Sequence, residues 1–318
     1  MKLKETMKDW SLMQIAFSLF GLPMTLPWLA YYIYDVIRRK KNKSNLTGKV
    51  VLITGASSGV GEALAHAFYN CGCKLILVAR RKNELERVKN TLLETKQTSQ
   101  TFTPIVLPLD ITEINLLETK IKNVMMEHGK IDILINNAGI SYRGEAATTD
   151  IDVDMKIMMI NYFAQIKLAK VILPSMIENK SGRIVCISSV QGKIAIPYRS
   201  AYAASKHALQ AWCDSARAEL AVSNVKITVI NPGYIKTDLS LNALTGHGEK
   251  YGINDKDTEK GYSPKHVADE TLLAILRDNK EKRIATFLPK IAEFLRFMIP
   301  TLYFIIMNIR AKKIIKKE

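Results

Sequence analysis

Six short runs dominated by aliphatic and β-branched residues recur between Val50 and Ile230, each separated from the next by a longer stretch of helical character. The strand candidates are Val50–Ile53, Leu75–Val78, Thr103–Pro108, Ile133–Ile135, Ile184–Ile187 and Lys226–Ile230. A strand wetted on one face alternates apolar and polar residues, whereas runs this apolar suit strands covered on both faces of a parallel sheet. Parallel neighbours need crossovers, so the alternation with helices predicts right-handed βαβ units and a doubly wound, Rossmann-like α/β sheet. No internal repeat breaks the pattern. Composition shifts at about 44–49 and near 280, which predicts one domain over 48–280 between an N-terminal segment, 1–47, and a C-terminal one, 281–318.

The first candidate strand runs into Thr54–Gly55–Ala56–Ser57–Ser58–Gly59–Val60–Gly61 and then into a helix expected over Glu62–Asn70. Glycines here let the chain turn tightly and let a pyrophosphate approach the backbone. The N-terminus of the helix offers unpaired N–H groups and a positive dipole end to that anion. The second candidate strand ends Leu77–Val78–Ala79–Arg80–Arg81. A site for NAD places an acid at that point to bind the ribose hydroxyls, and a nearby arginine accommodates a 2′-phosphate. Ala79 lacks the acid and Arg80 and Arg81 supply the charge, so the expected cofactor is NADP(H). Solvated arginines at the start of the next helix are the alternative.

The net charge of +16 is concentrated at the ends. Residues 1–49 hold nine Lys/Arg against three Asp/Glu, and residues 280–318 hold ten against three. No basic face is implied on the central domain, which argues against nucleic acid as a partner. Ser11–Tyr34 is uncharged, long enough to cross a membrane as a helix, flanked by aromatics and followed by a basic cluster from Arg38 to Lys43. It is read as an uncleaved single-pass anchor, although Pro23 and Pro27 would kink it or make it re-entrant. Orientation stays open because Lys2, Lys4 and Lys8 lie on the other flank. Phe287–Ile309 mixes apolar and aromatic residues with Lys290, Glu293 and Arg296, the pattern of an interfacial segment; a helix packed on its own domain is the alternative. Cys71, Cys73, Cys186 and Cys213 form neither a disulfide framework nor a metal pair, and no metal site is expected.

The turn with spacing T-G-x-x-x-G-x-G, Asn136–Asn137–Ala138–Gly139, Ser189, Tyr202–Ala203–Ala204–Ser205–Lys206 and Pro232–Gly233 together resemble the short-chain dehydrogenase/reductase family. They stand in the family's order, with Ser189 thirteen positions before Tyr202, and the likeness covers about residues 48–280. The stretch from Pro232 to Thr245 resembles the membrane-associated 7B branch of that family. The resemblance implies a catalytic set of Asn161, Ser189, Tyr202 and Lys206. It also implies a cofactor site of Gly55, Ser57, Ser58, Gly59, Val60, Gly61, Arg80, Arg81, Asp110, Asn137, Tyr202, Lys206, Pro232, Gly233 and Thr237. Val60 stands where the family often has Ile or Leu.

Chemistry supports these roles. Free tyrosine titrates near pH 10, too high for efficient proton exchange at neutral pH. Lys206 lies one helical turn from Tyr202, and its charge would favour the phenolate. Ser189 would orient the same substrate oxygen. By resemblance, Lys206 also holds the nicotinamide ribose and Asn161 completes a water-linked relay. Asp110 would meet the adenine, Asn137 the adenosine ribose and Thr237 the carboxamide. The polar stretch Asp238–Ser263 is expected to cover the substrate. A helix over Met155–Leu173, stopping at Pro174, is expected to carry Asn161 and, with the Tyr202 helix, to build a homodimer interface. The expected activity interconverts a carbonyl and an alcohol on a hydrophobic, lipid-like substrate at the endoplasmic reticulum or peroxisome membrane. An acyl- or alkyl-dihydroxyacetone-phosphate type ketone is one candidate and a sterol or retinoid another. A cofactor-binding membrane scaffold is the competing class.

Overall fold

The computed structural model describes residues 22–95, 102–253 and 255–315. The chain divides into two units, Met1–Asn45 and Leu46–Glu318. In the first, helix α1 (Leu22–Ser44) starts with Pro23 in its first turn and continues through Pro27. It exposes Trp28, Tyr31, Tyr32 and Tyr34, while Asp35 is buried and paired with Arg39 at 2.9 Å. Residues 11–21 of the expected anchor lie outside the described residues.

The second unit is the expected doubly wound sheet, with seven parallel strands in the order β3-β2-β1-β4-β5-β6-β7. In chain order the elements are β1 (Val50–Thr54), α2 (Gly59–Tyr69), β2 (Lys74–Ala79), α3 (Lys82–Glu94), β3 (Ile105–Pro108), α4 (Ile114–His128) and β4 (Ile133–Asn136). Helix α5 (Ile151–Met158) passes through a π-helical turn, Met159–Phe163, into α6 (Ala164–Glu178). There follow β5 (Gly182–Ile187), α7 (Ser200–Glu219), β6 (Val225–Pro232), the short α8 (Lys256–Glu259), α9 (Pro264–Leu276) and β7 (Glu281–Ile284). Two helices, α10 (Phe287–Met298) and α11 (Pro300–Ile315), complete it.

Side chains alternate across the strands, so each strand feeds two cores. Val51, Ile53, Leu75 and Leu77 pack with Leu64 and Phe68 of α2 and Val267 and Ile275 of α9. Leu52, Ile76 and Leu134 pack on the other face with Leu117 and Ile121 of α4, Leu168 and Ile172 of α6 and Leu209 of α7. Each fully buried aliphatic side chain contributes about 2 kcal/mol by leaving water. The four cysteines are free and buried.

Two features differ from the sequence reading. A seventh strand, Glu281–Ile284, lies past position 280; its run of charged residues hides it, yet it pairs with Val229–Pro232 at the sheet edge. The helix carrying Asn161 begins at Ile151 and does not stop at Pro174 but runs on to Glu178. Pro174 and Lys170 are both exposed, so the Lys170 carbonyl that loses its donor can be served by water. Among the described residues this stretch, Ile151–Glu178, is also the one helical run long and apolar enough to cross a membrane, but α6 puts Leu168, Ala169 and Ile172 into the core. In the C-terminal segment, read either as interfacial or as packed on its own domain, the Tyr303 hydroxyl donates to the Ala195 carbonyl and Tyr303 is buried.

The ends of β1 and β4 are joined through one hydroxyl. Thr54 Oγ1, fully buried, accepts from the N–H groups of Asn137 and Ala138, both at 3.0 Å, and donates to the Ile135 carbonyl. Thr54→Val keeps the shape but strands two backbone donors, at a cost of about 1–3 kcal/mol. Urea unfolding of the detergent-solubilised protein should show a lower midpoint for Thr54→Val and one near the parent's for Thr54→Ser. Coincident midpoints for the Val variant and the parent would refute this account of the β1–β4 junction.

Candidate active site

All strands point the same way, so the turns that leave their C-terminal ends collect along one edge, where open α/β sheets bind ligands. A crevice of about 1310 Å³ lies there. Its floor begins at the glycine-rich turn. Gly55 and Gly59 have φ of 66° and 57°, a conformation that a Cβ would strain. A Cβ on Gly61 would overlap the Gly55 carbonyl oxygen, so this third glycine lets α2 close against the turn. Ser58 precedes α2 without capping it through its side chain, leaving the first-turn N–H groups facing an open site.

Beside the turn, Arg81 Nη2 donates to Ser57 Oγ at 3.3 Å and reaches Ser58 Oγ at 3.5 Å. Arg80 is largely exposed and approaches Asp110 at 3.8 Å. Asp110 Oδ1 is occupied by the Thr112 N–H and hydroxyl, which fixes the turn after β3. The Asn137 amide donates to the carbonyls of Thr54 and Gly55 and so ties the ends of β4 and β1 together.

Ser189, Tyr202 and Lys206 meet in the same crevice. Ser189 Oγ accepts from the Gln191 N–H at 3.1 Å, which turns the chain after β5 so that its hydroxyl faces Tyr202. Tyr202 sits in the first turn of α7, packed among Tyr142, Val153, Ile157 and Ala201. Burial pushes its hydroxyl above the usual tyrosine range, while the hydrogen bond with Ser189 and the charge of Arg143 pull it back. Lys206 Nζ lies 5.8 Å from the Tyr202 ring centre and donates to the Ile187 carbonyl at 3.0 Å. Burial lowers Lys206 to about 8.

Asn161 is placed differently. Fully buried, it is held in the π-helical turn; its Oδ1 accepts from the Ile140 N–H, and its Nδ2 donates to the Ile140 carbonyl and to Ser205 Oγ. Its amide therefore pins the Gly139–Ile140 backbone under Lys206, and it does not line the crevice. Of the other expected residues, Val60, Pro232, Gly233 and Thr237 do line it, and Gly61 lies behind the turn.

The short chain dehydrogenase family profile matches residues 49–246, the span that contains every one of these turns. The chain belongs to the short-chain dehydrogenase/reductase family. A dehydrogenase/reductase SDR family protein 7-like of Anopheles gambiae is 55% identical over 92% of this chain and 92% of its own length. The dehydrogenase/reductase SDR family member 7B of Mus musculus is 43% identical over 95% of this chain and 93% of its own. A metagenomic short-chain oxidoreductase, solved in complex with NADP, superposes with a TM-score of 0.61 at 25% identity, over 75% of this chain and 97% of that one. Family membership makes the protein an oxidoreductase using a nicotinamide cofactor. The glycine cradle, the uncapped N-terminus of α2 and the open edge of the sheet fit a dinucleotide laid from Arg81 to Lys206.

Two contributors escaped the sequence reading. Arg143, four residues beyond Gly139, lines the crevice and is buried. The C-terminal helices add a wall that includes Leu288, Ile291, Leu295, Tyr303 and Arg310.

Lys206 yields a prediction about stability. Its folded pKa lies below its unfolded one, so between about 8 and the ordinary lysine value the unfolded chain binds the extra proton. The penalty of the buried charge is therefore complete below about pH 8 and fades as pH rises from there. Lys206→Met should raise the melting temperature of the cofactor-free protein at pH 7, and the gain should shrink steadily towards pH 10. Thermal melts across that range check it; a gain independent of pH would contradict it.

Proposed function

We propose that the protein is a membrane-associated, NADP(H)-dependent reductase and dehydrogenase that interconverts a carbonyl and an alcohol on a hydrophobic lipid substrate. The observation that carries the reading is a single crevice with Ser189, Tyr202 and Lys206 at one part of its wall and the apolar face of the C-terminal helices at another. A substrate with a polar reacting end and a long apolar body matches both.

When bound, the nicotinamide supplies or accepts a hydride. The protein's own groups manage the oxygen and the proton. In the reducing direction the Ser189 hydroxyl orients the carbonyl oxygen by a hydrogen bond, and the Tyr202 hydroxyl gives that oxygen its proton as the carbon is reduced. In oxidation, the Tyr202 phenolate takes the proton back. Its place in the first turn of α7 favours that anion, because the positive end of the helix dipole lies there. Lys206 holds the cofactor ribose, and Asn161 keeps the backbone beneath it in place. The loop Asp238–Ser263 lines the crevice through Asp238, Leu239, Ser240 and Lys260 and serves as the substrate cover.

NADP(H) is favoured by Arg81, which stands over Ser57 and Ser58 with no acid at Ala79, and by the NADP complex of a similar oxidoreductase. Membrane association is supported by the exposed Phe287, Leu288, Phe294, Phe297 and Phe304 beside Lys290, Arg296, Lys312 and Lys313. The N-terminal anchor and an address on the endoplasmic reticulum or peroxisome belong to the same reading, as does a homodimer formed through the helix that exposes Met155 and Phe163.

Two measurements test it. NADPH oxidation by detergent-solubilised protein, run against acyl-dihydroxyacetone-phosphate type ketones, sterols and retinals, should give turnover with at least one class, and Tyr202→Phe should lower it by about a hundredfold or more. Measured NADPH binding without turnover on any of them would favour a binding protein. Arg81→Ala should weaken NADPH binding by about tenfold and leave NADH binding nearly unchanged, as losing one charge-assisted phosphate contact requires. Equal losses for the two cofactors would remove Arg81 from the 2′-phosphate site.

A further inference from the structure

We propose that α10 and α11 form a lateral port: the helix pair docks on an anionic lipid bilayer and passes a lipid from it sideways into the crevice. The inference rests on the reading of the substrate as a lipid and adds where that lipid enters.

The sequence of α10 builds two apolar stripes side by side. Phe287, Phe294, Phe297 and Met298 recur at helical spacing and are exposed. Leu288, Ile291, Ala292 and Leu295 recur one position later or earlier and line the crevice. Stripes offset in this way adjoin on a helix, and Lys290, Glu293 and Arg296 all fall away from the join. Helix α11 repeats the arrangement. Tyr303, Ile306, Met307 and Arg310 line the crevice, while Phe304, Ile305 and Ile309 are exposed.

Three residues belong to both surfaces. Leu288, Ile291 and Ile306 line the crevice, yet they are 75%, 36% and 40% exposed. A wall that closed the crevice would shield its lining. Here the lining continues outward without a polar break, so the crevice opens through the helix pair. The rim is fixed to the site by Tyr303, whose hydroxyl donates to the Ala195 carbonyl, and by Arg310, whose Nη2 donates to the Tyr234 hydroxyl at 3.4 Å. Ile306 and Met307 lie between these clasps on the same helical face.

Charge identifies the occupant. Glu293 is the one acid in the two helices, and Arg283 holds it at 2.6 Å. Lys290, Arg296, Lys312 and Lys313 are exposed. The Arg296 guanidinium lies over the Phe304 ring at 5.1 Å, so cation and apolar face are presented together. An apolar face bordered by cations meets acyl chains and anionic headgroups at one depth. A second copy of the chain would set these cations against their own kind, which disfavours a dimer through this face.

The test places a reporter on the outer face. All four cysteines are buried, so Phe297→Cys adds an exposed thiol that takes a bimane label selectively. The full-length protein is reconstituted into vesicles of phosphatidylcholine and phosphatidylserine, and lipids carrying a nitroxide on the acyl chain should quench the label. The same label on Met126→Cys, near the end of α4 that leads into the start of β4, should stay unquenched. Omitting phosphatidylserine should weaken the quenching. For the port, a diazirine-bearing hexadecanol dissolved in the same vesicles is photolysed and its adducts are mapped. Ile194 decides, because it lines the crevice and is buried. The probe should label it, and Leu288→Asp at the exposed mouth should lower that labelling about tenfold, since a charge in an apolar passage is costly. Leu288→Met should leave it unchanged. An unquenched label at position 297, equal quenching in both kinds of vesicle, an unlabelled Ile194, or labelling indifferent to Leu288→Asp overturns the proposal. Crosslinking of two copies through Phe297→Cys in place of quenching gives the face to a dimer and overturns it too. Neither readout needs turnover. Tyr202-dependent turnover with an unlabelled Ile194 sinks the port alone, whereas a labelled Ile194 without turnover on any ketone keeps the port and sinks the catalytic reading.

Discussion

Parallel pairing governs the rest of this molecule. Once seven strands run in one direction, every crossover must return across a face of the sheet, and every strand must deliver its C-terminal turn to the same edge. The two faces become two buried cores, and the edge becomes the place where backbone groups lack strand partners. Thr54 and Asn137 show how that edge is held: a hydroxyl and an amide from neighbouring strand ends satisfy one another's backbone within a few ångströms of the glycine turn. The crevice follows from topology, and its chemistry from what the turns carry.

Much of this was readable in the sequence because it is local. The strand cores, the glycine turn and the one-turn spacing of Tyr202 and Lys206 are patterns within a few residues of each other; the strands pack in the two cores, and the glycine turn, Tyr202 and Lys206 line one crevice. What was not readable depends on distant partners. Arg143 and Asp255 are 112 residues apart, so nothing near Arg143 marks it as a buried cation rather than a solvated one. The edge strand Glu281–Ile284 pairs on one side only and carries Glu, Lys and Arg, which a hydrophobic pattern cannot register. Asn161 owes its orientation to a π-helical turn, a backbone event without a fixed residue signature.

The C-terminal helices join two readings that the sequence kept as alternatives. Tyr303 is buried and fixed to Ala195, in the loop between Ser189 and Tyr202, so α11 packs on its own domain. On the same helices Phe294, Phe297, Phe304 and Ile305 remain exposed, an apolar surface larger than isolated surface residues would explain. One side of the pair thus serves as crevice wall and the other faces outward. A residue such as Leu295, lining the crevice from α10, stands between these two surfaces.

This arrangement bears on how the buried charges work. Apolar walls exclude water and lower the local dielectric, so a charge acts on its neighbours more strongly there than at the surface. The same burial lowers Lys206 and raises Tyr202, and it leaves the tyrosine responsive to the charge of Arg143. Buried charge and apolar wall are in this way one construction, built from residues that line the crevice at a single edge of the sheet.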